Sequence, residues 1–410
     1  MLKVLAELTS HPIGKMIMRP NFSHPHAITM WDFSWLERRW PGAGYEDWDR
    51  ALGELAERGY DAVRVDAFPH LIATDADREW ELLPTWNQQT WGAPSIVRVR
   101  VLPELTEFIA AARRAGIKVS LSSWFREDRD NTRVGFTTPE SFGRIWLETL
   151  RHIESAGLLN QILFVDLCNE FPLRIWAPWL YADELSRNAL RNGLSMSVPL
   201  SGVMPTEASR TEARVAEWMA ASIYVARQAF PELDFTYSFV TELTTWRNQD
   251  VSALDVLEPH IWMANNEYSD YYDRVGYHFE RFDPSGYDNV VARGREEYRS
   301  RQVLYDAALF RMIDTVVEWS RATGKPLYIT ECWSLVDYKD WPGLEWDWLL
   351  DINARAVEYA ASTGRFVGMA TSNFCGPQFT GMWREIEWHQ RLTTLIKSAS
   401  IDEDIRTRDG

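Results

Sequence analysis

The chain has 410 residues, of which 46% are hydrophobic and 25% are charged, and its formal net charge is −16. This composition is typical of a globular protein with a sizeable core, while the acidic balance disfavours nucleic acid as a partner. No run of 18 apolar residues occurs, so the sequence predicts neither a membrane-spanning helix nor a membrane partner.

The most regular feature of the sequence is an alternation of short apolar runs with amphipathic segments of helical spacing. The apolar runs, predicted as strands, cover residues 27–31, 61–67, 117–124, 162–167, 235–240, 256–263, 327–331 and 366–371. The predicted helices cover residues 45–58, 102–115, 139–156, 182–192, 206–230, 303–323, 346–363 and 383–398. Eight strand–helix units at this length predict an α/β fold, a (β/α)8 TIM barrel of parallel strands enclosed by helices.

Two long connections, 68–97 and 264–299, interrupt the alternation and predict long strand–helix loops. No repeat, low-complexity tract or linker divides the chain. We therefore expect a single domain over residues 1–410, with the barrel core at about 27–397.

Polar side chains stand where several predicted strands end, which is where a barrel of this kind carries its working residues. Arg64 lies in the second strand, Asn169 and Glu170 follow the fourth, His260 lies in the sixth and Glu331 ends the seventh. Strands four and seven face each other across a barrel, so Glu170 and Glu331 are expected to meet over one ligand. Two such carboxyl groups can cleave a glycosidic bond, one as proton donor and one as nucleophile.

The sequence resembles the glycoside hydrolases of clan A, whose catalytic glutamates follow strands four and seven, and among them the cellulase-like members. The resemblance rests on Asn169-Glu170 in FVDLCNEFP, Glu331 in PLYITECW, Arg64 in AVRVDAF and His260 in PHIWM. It implies a retaining β-glycoside hydrolase with Glu170 as acid/base and Glu331 as nucleophile. It further implies that Arg64 holds Glu331 and lowers its pKa, that Asn169 bonds the sugar 2-hydroxyl, and that His260 bonds a glutamate or the substrate.

Further substrate contacts are expected from residues near the strand ends and from the 21 tryptophans, because flat aromatic rings stack on sugar faces. The candidates are Trp31, Asp32, Trp124, Trp262 and Asn373. The sequence departs from the family pattern at several places. Phe171 precedes the expected proline, Trp124 stands in a region where many relatives have histidine, and Asn373 in one where tryptophan is usual. These departures leave the sugar and the linkage open.

Two other functions fit a barrel of this kind. A metal-dependent sugar enzyme would need clustered histidines and carboxylates at strand ends, yet only His260 and His70 of the eight histidines lie near such ends. A non-catalytic carbohydrate-binding barrel would have no need of both glutamates. The sequence therefore predicts a carbohydrate substrate, no metal site and no cofactor, with oligomeric state and transglycosylation left open.

The cysteines bear on the compartment. Cys168, Cys332 and Cys375 form no CxxC pair and leave one unpaired, and no clear signal peptide begins the chain, which favours a cytoplasmic location.

Long loops over the strand ends would close a groove into a pocket, which favours exo action on short β-linked glycans. An intracellular location would favour exo action as well.

Overall fold

The computed structural model describes residues 22–85, 91–181, 208–277 and 284–406. The helix predicted over residues 182–192 lies outside the described residues. The strands of the described part are β1 (His26–Asp32), β2 (Ala62–Asp66), β3 (Trp80–Leu82), β4 (Val97–Val99), β5 (Lys118–Ser122), β6 (Ile162–Asp166), β7 (Asp234–Thr236), β8 (Ser238–Phe239), β9 (Glu258–Pro259), β10 (Ile261–Trp262), β11 (Leu327–Ile329), β12 (Cys332–Trp333) and β13 (Phe366–Met369).

The strands form the predicted TIM barrel. A seven-stranded sheet has the order β11-β13-β1-β2-β5-β6-β7, and every pairing within it is parallel. Its two edges are joined through the short parallel pairs β8·β9 and β10·β12 and through a bridge between Leu257 and Leu327. The fifth, sixth and seventh barrel strands are thus each made of two short pieces, and the ring closes.

The helices surround the strands and follow the predicted alternation. Those of the described part are Ser34–Glu37, Trp48–Glu57, Pro69–Thr74, Val101–Arg114, Pro139–Ser155, Ala213–Arg227, Tyr271–Val275, Ser285–Asn289, Arg295–Ser300, Gln302–Thr323, Asp347–Ala361, Thr380–Trp383, Ile386–Ser398 and Glu403–Arg406. Short 3-10 turns lie at Thr132–Gly135, Leu159–Gln161, Pro178–Leu180 and Trp246–Asn248, and a π-helical turn at Val290–Gly294. Within these ranges no helix is both long and apolar enough to cross a membrane.

Local signals in the sequence explain where helices begin and end. Thr138 caps helix Pro139–Ser155 by accepting a hydrogen bond from the Ser141 amide, in a reciprocal capping box. Asp47 accepts in the same way from the Arg50 amide and starts helix Trp48–Glu57. Helix Gln302–Thr323 ends at Gly324, whose φ of +68° a residue with a side chain rarely adopts.

The two long connections are more structured than predicted. Residues 68–97 contain helix Pro69–Thr74, and β3 and β4 form an antiparallel pair outside the barrel. The second connection, 264–299, carries the helices between Tyr271 and Ser300. Prediction missed these elements because each is only a few residues long, too short for a hydrophobic period to show.

The barrel interior is layered along its axis. An apolar cluster fills the end where the strands begin; it comprises Ile28, Ala62, Phe164, Val256, Tyr328, Val367 and Ile405. Side chains on one face of a strand recur every second residue, so the next inward positions are Met30, Arg64, Asp166 and Thr330. This second layer holds fully buried charges, and the carboxyl ends of the strands lie above it. The apolar layer closes the barrel below, so the interior is open only toward those ends.

Candidate active site

A pocket opens at the carboxyl ends of the barrel strands. It is lined by residues at or after the ends of the first, third, fourth, seventh and eighth barrel strands, together with two loop tryptophans. The lining residues are Met30, Asp32, Phe33, Trp91, Trp124, Asn169, Glu170, Trp176, Glu331, Val336, Asp337 and Asn373.

Glu170 and Glu331 meet at this pocket with His260 between them. The His260 Nδ1 atom lies 3.1 Å from Glu170 Oε1 and 3.7 Å from Glu331 Oε2. One carboxylate oxygen of each glutamate and a nitrogen of His260 all lie within 4.8 Å of one another. The two carboxyl groups and the imidazole therefore form one compact cluster at the pocket.

The backbone aims Glu170 into the pocket. Its φ is +46°, in the left-handed region, and its amide donates to the Ser238 hydroxyl at 2.9 Å. The neighbouring amides of Asn169 and Phe171 donate to the Ser123 and Ser238 carbonyls, both at 2.9 Å. The turn after β6 is thus fixed from both flanking barrel strands, which is how a strained residue is held in place.

Arg64 lies directly beneath the pocket and binds several acidic groups. Its Nη1 donates to Glu331 Oε1 at 2.9 Å, its Nη2 donates to Asp166 Oδ2 at 2.5 Å, and its Nε lies 3.5 Å from Glu258 Oε1. The side chains of Arg64, Asp166 and Glu258 are fully buried. Arg64 therefore positions Glu331 from below and does not line the pocket itself. The guanidinium also lies 4.6 Å from the ring centroid of Trp124.

Burial raises the pKa of Glu170 to about 7, although the Trp176 indole lowers it by donating to Oε2 at 3.2 Å. Burial also raises the pKa of Glu331 above its ordinary value. The prediction that Arg64 lowers the pKa of Glu331 below its ordinary value was wrong. Arg64 and His260 do lower it, but burial outweighs both. Since Glu331 accepts directly from a guanidinium and Glu170 does not, a proton shared between them favours Glu170.

His260 is neutral at ordinary pH, because burial lowers its pKa to about 4. With Nδ1 facing two carboxyl groups, the tautomer that carries its proton on Nδ1 donates to Glu170. Its Nε2 lies 4.0 Å from Glu258, whose own pKa burial raises to about 8. The structure thus makes His260 a neutral bridge between the two glutamates rather than a positive charge.

Two amide side chains offer hydrogen-bonding groups at the pocket. Asn169 accepts from Arg64 at 2.8 Å through Oδ1, and its buried Nδ2 has no hydrogen-bond partner among the described residues. Asn373 donates through Nδ2 to the Val336 carbonyl at 3.0 Å, which leaves its buried Oδ1 without a partner in the same ranges. A buried amide without a partner is costly, so both groups suit a polar ligand.

The other predicted contact residues divide into two sets. Asp32 and Trp124 line the pocket; burial raises the pKa of Asp32 well above its ordinary value. Trp31 and Trp262 are fully buried and are not among the lining residues. The Trp31 indole donates to the Cys375 carbonyl at 3.0 Å, and its ring packs edge-on against Tyr45.

Sequence reasoning missed several residues of the site. Asp166 is the last residue of β6 and Glu258 the first of β9. A charged residue within a predicted apolar run was the signal that could have indicated both. Trp176 and Asp337 come from irregular segments without a period to place them. Trp91 lies in the first long loop, as predicted, but only the structure brings it to the pocket.

The second long connection supports the pocket from behind. Tyr272 accepts a hydrogen bond from the Val336 amide at 2.9 Å, and Tyr277 donates to Asp337 Oδ2 at 2.8 Å. None of its described residues lines the pocket, so this connection contacts the pocket wall through residues 336–337.

Comparison with known proteins gives the following likenesses. A family model described as sugar-binding cellulase-like matches residues 28–397. A crystal structure from Parabacteroides distasonis ATCC 8503, provisionally named a glycoside hydrolase, is 46% identical, covers 93% of this chain and 96% of its own, and superposes with a TM-score of 0.86. The β-glycosidase BGL167 is 13% identical, covers 94% of this chain and 98% of its own, and superposes with a TM-score of 0.52. This is a likeness of fold alone. None of the curated proteins matches the sequence.

Proposed function

The chain belongs to the cellulase-like family of glycoside hydrolases, and from that premise we propose that it is a retaining β-glycosidase that uses Glu170 and Glu331. One observation carries the proposal: carboxylate oxygens of the two glutamates lie within 4.8 Å of each other at the pocket. Retaining enzymes hold their carboxyl groups about 5–5.5 Å apart, whereas inverting enzymes need about 6.5–9.5 Å to admit a water molecule.

In the first step Glu331 attacks the anomeric carbon while Glu170 donates its proton to the leaving oxygen. The glycosidic bond breaks, and the sugar is joined to Glu331 as an ester. The raised pKa of Glu170, about 7, keeps a proton available at neutral pH. Arg64 supports the anionic form of Glu331 through the 2.9 Å hydrogen bond.

In the second step Glu170, now ionised, takes a proton from water, and the oxygen of that water attacks the anomeric carbon. The ester bond to Glu331 breaks, and the product keeps its original configuration. The free Nδ2 of Asn169 would donate to the sugar 2-hydroxyl, a contact that strengthens as charge develops on the ring. Trp91, Trp124 and Trp176 provide aromatic surface for the sugar faces.

We further propose that the enzyme is a single catalytic domain and acts from the chain end of short β-linked glycans. Loop residues stand around the strand ends: Trp91 from the first long connection, Trp176 after the fourth strand, and Asp337 after the seventh. A pocket closed in this way accepts a terminal sugar more readily than the middle of a polymer. Product chromatography on β-linked oligosaccharides tests this point, and random internal cuts would refute it.

The mechanism is tested with nitrophenyl β-glycosides and four variants: Glu170→Gln, Glu170→Ala, Glu331→Gln and, as a matched control on an exposed helix face, Glu148→Gln. We expect Glu331→Gln to be inactive and Glu148→Gln to match the wild type. Azide should rescue Glu170→Ala and give a glycosyl azide of β configuration. Equal nitrophenol release by all the variants would refute the mechanism and favour a non-catalytic carbohydrate-binding barrel. Loss of wild-type activity on chelation, with recovery on adding metal, would favour a metal-dependent enzyme.

A further inference from the structure

A second cluster of chemically reactive side chains lies far from the pocket. His24 and His26 flank Pro25 at the beginning of β1, and Asp61 immediately precedes β2. Asp32, at the other end of β1, lines the pocket. A strand rises about 3.3 Å per residue, so the cluster lies roughly 20 Å from the pocket, on the opposite face of the barrel. Sequence reasoning considered histidines only at the carboxyl ends of strands and passed over this pair.

The three side chains converge on one point. Asp61 Oδ2 lies 3.5 Å from His24 Nε2 and 3.3 Å from His26 Nδ1, and all three ligand atoms lie within 4.8 Å of one another. A tetrahedral zinc ion with bonds of about 2.0–2.1 Å separates its ligand atoms by about 3.3–3.4 Å. The spacing therefore admits a small divalent ion after only minor side-chain movement.

Two buried polar atoms of the cluster form no hydrogen bond within the described part of the chain. Among the described residues, the buried His26 Nδ1 and Asp61 Oδ1 have no hydrogen-bond partner. The approach of His26 to Asp61 at 3.3 Å thus lacks the alignment of a hydrogen bond. With its ring proton on Nε2, His26 keeps a lone pair on Nδ1 for an ion, and the Asp61 carboxylate keeps those of Oδ1 beside the Oδ2 atom that faces the histidines.

The surroundings hold the candidate ligands in place. Ser23 Oγ lies 2.9 Å from His24 Nδ1, the ring atom that faces away from Asp61, as outer-shell partners of metal-bound histidines do. The backbone of Asp61 is fixed on both sides, by its amide donating to Ala27 and its carbonyl accepting from Lys118. His24 is 46% exposed, so an ion can enter from solvent and complete its shell with water.

We propose that His24, His26 and Asp61 bind one divalent transition-metal ion on the face of the barrel opposite the pocket. Two imidazole nitrogens and one carboxylate oxygen suit zinc, nickel or copper, whereas magnesium and calcium prefer oxygen ligands alone. The site is independent of the glycosidase chemistry proposed above.

The test is calorimetric titration of the full-length, EDTA-treated protein with zinc chloride. We expect one ion per chain in the wild type and in His152→Ala, which removes an exposed histidine elsewhere on the surface. His24→Ala and Asp61→Asn should each weaken binding at least about tenfold, since even an outer-shell partner is worth 10–100-fold.

Both substituted positions are partly exposed, so these variants should fold, which melting curves without metal would verify. Glu331→Gln provides the second control, because Glu170, His260 and Glu331 also bring three donor atoms within 4.8 Å. Zinc uptake unaffected by Glu331→Gln supports the proposal. It is overturned if the wild type takes up no zinc, if His24→Ala and Asp61→Asn bind as tightly as the wild type, or if Glu331→Gln abolishes binding.

Discussion

Replacing Arg64 with methionine removes a guanidinium that contacts Asp166 and Glu258 inside the barrel and Glu331 at the pocket. Breaking one buried ion pair from a single side costs about 3–5 kcal/mol, because a charge is left without its partner. We expect a loss of this order in the free energy of unfolding near pH 7, measured by urea denaturation.

The loss of stability should depend on pH in a definite direction. Without Arg64 the pKa of Glu331 rises further above its ordinary value of 4.5, because burial then acts with less opposition. The native variant keeps protons that the unfolded chain releases, so its stability falls as pH rises above about 4.5. The variant should therefore be closer to the wild type at pH 5 than at pH 8.

Activity should follow the opposite trend. A hydrogen bond to a charged group contributes about 1.5–3 kcal/mol, which corresponds to a loss of about 10–150-fold in kcat/KM at pH 7. With a dinitrophenyl glycoside, whose leaving group needs no proton, part of this loss should be recovered at higher pH as Glu331 ionises. Arg64→Lys, which keeps the charge but not the planar fork, should be intermediate.

Arg365→Met is the matched control. Arg365 is as deeply buried and donates to Ser320 and Asp404 where β13 begins, away from the pocket. This variant should lose stability without losing kcat. The reasoning about Arg64 would be refuted if Arg64→Met kept the kcat/KM and pH profile of the wild type, or if Arg365→Met lost as much activity.

Two further predictions concern Glu170 and the pocket tryptophan Trp91. Because burial raises the pKa of Glu170 to about 7, kcat/KM of the wild type for alkyl β-glycosides should fall above that pH, whereas kcat/KM for a dinitrophenyl glycoside, whose leaving group needs no proton, should lack this limb. Gly92 has a φ of +58°, and a Cβ added there would lie 2.5 Å from Phe33, so Gly92→Ala should displace Trp91 and raise KM. The control is Gly42→Ala, at φ +80° with open space around it, which should cost about 1 kcal/mol of stability but leave KM unchanged. Equal KM values for the two variants would contradict this prediction.

The order of the barrel strands was predictable because each strand is a short apolar run followed by a helix of clear period. Alternation along β1 also contained information that the prediction did not use. Met30 is an inward position, and adjacent residues of a strand point to opposite sides, so Trp31 is expected to face outward, where its ring packs against Tyr45 and Phe108. The same rule places Arg64 inside the barrel, although only the register of β2 against β5 and β1 shows which carboxylates it reaches.

Other parts of the site depend on contacts that no local pattern records. Trp91 reaches the pocket because the amide of Gly92 donates to Ser34 at 2.8 Å and that of Ala93 donates to Glu37 at 3.1 Å. Glu37 in turn is paired with the buried Arg126 at 2.7 Å. These partners are up to 89 residues apart in the chain, so composition and periodicity could not connect them.

The charged layer within the barrel is poorly explained by stability alone. Apolar side chains of similar volume often match or exceed the stability of a buried ion pair, and here one guanidinium serves three buried carboxyl groups. The apolar layer beneath shows that this barrel can be filled without charges. What an apolar replacement could not supply is the 2.9 Å hydrogen bond to Glu331 and the 2.8 Å hydrogen bond to Asn169. Proteins commonly accept such costs at sites that act on ligands, so the layer is best understood as the support of Glu331 and Asn169.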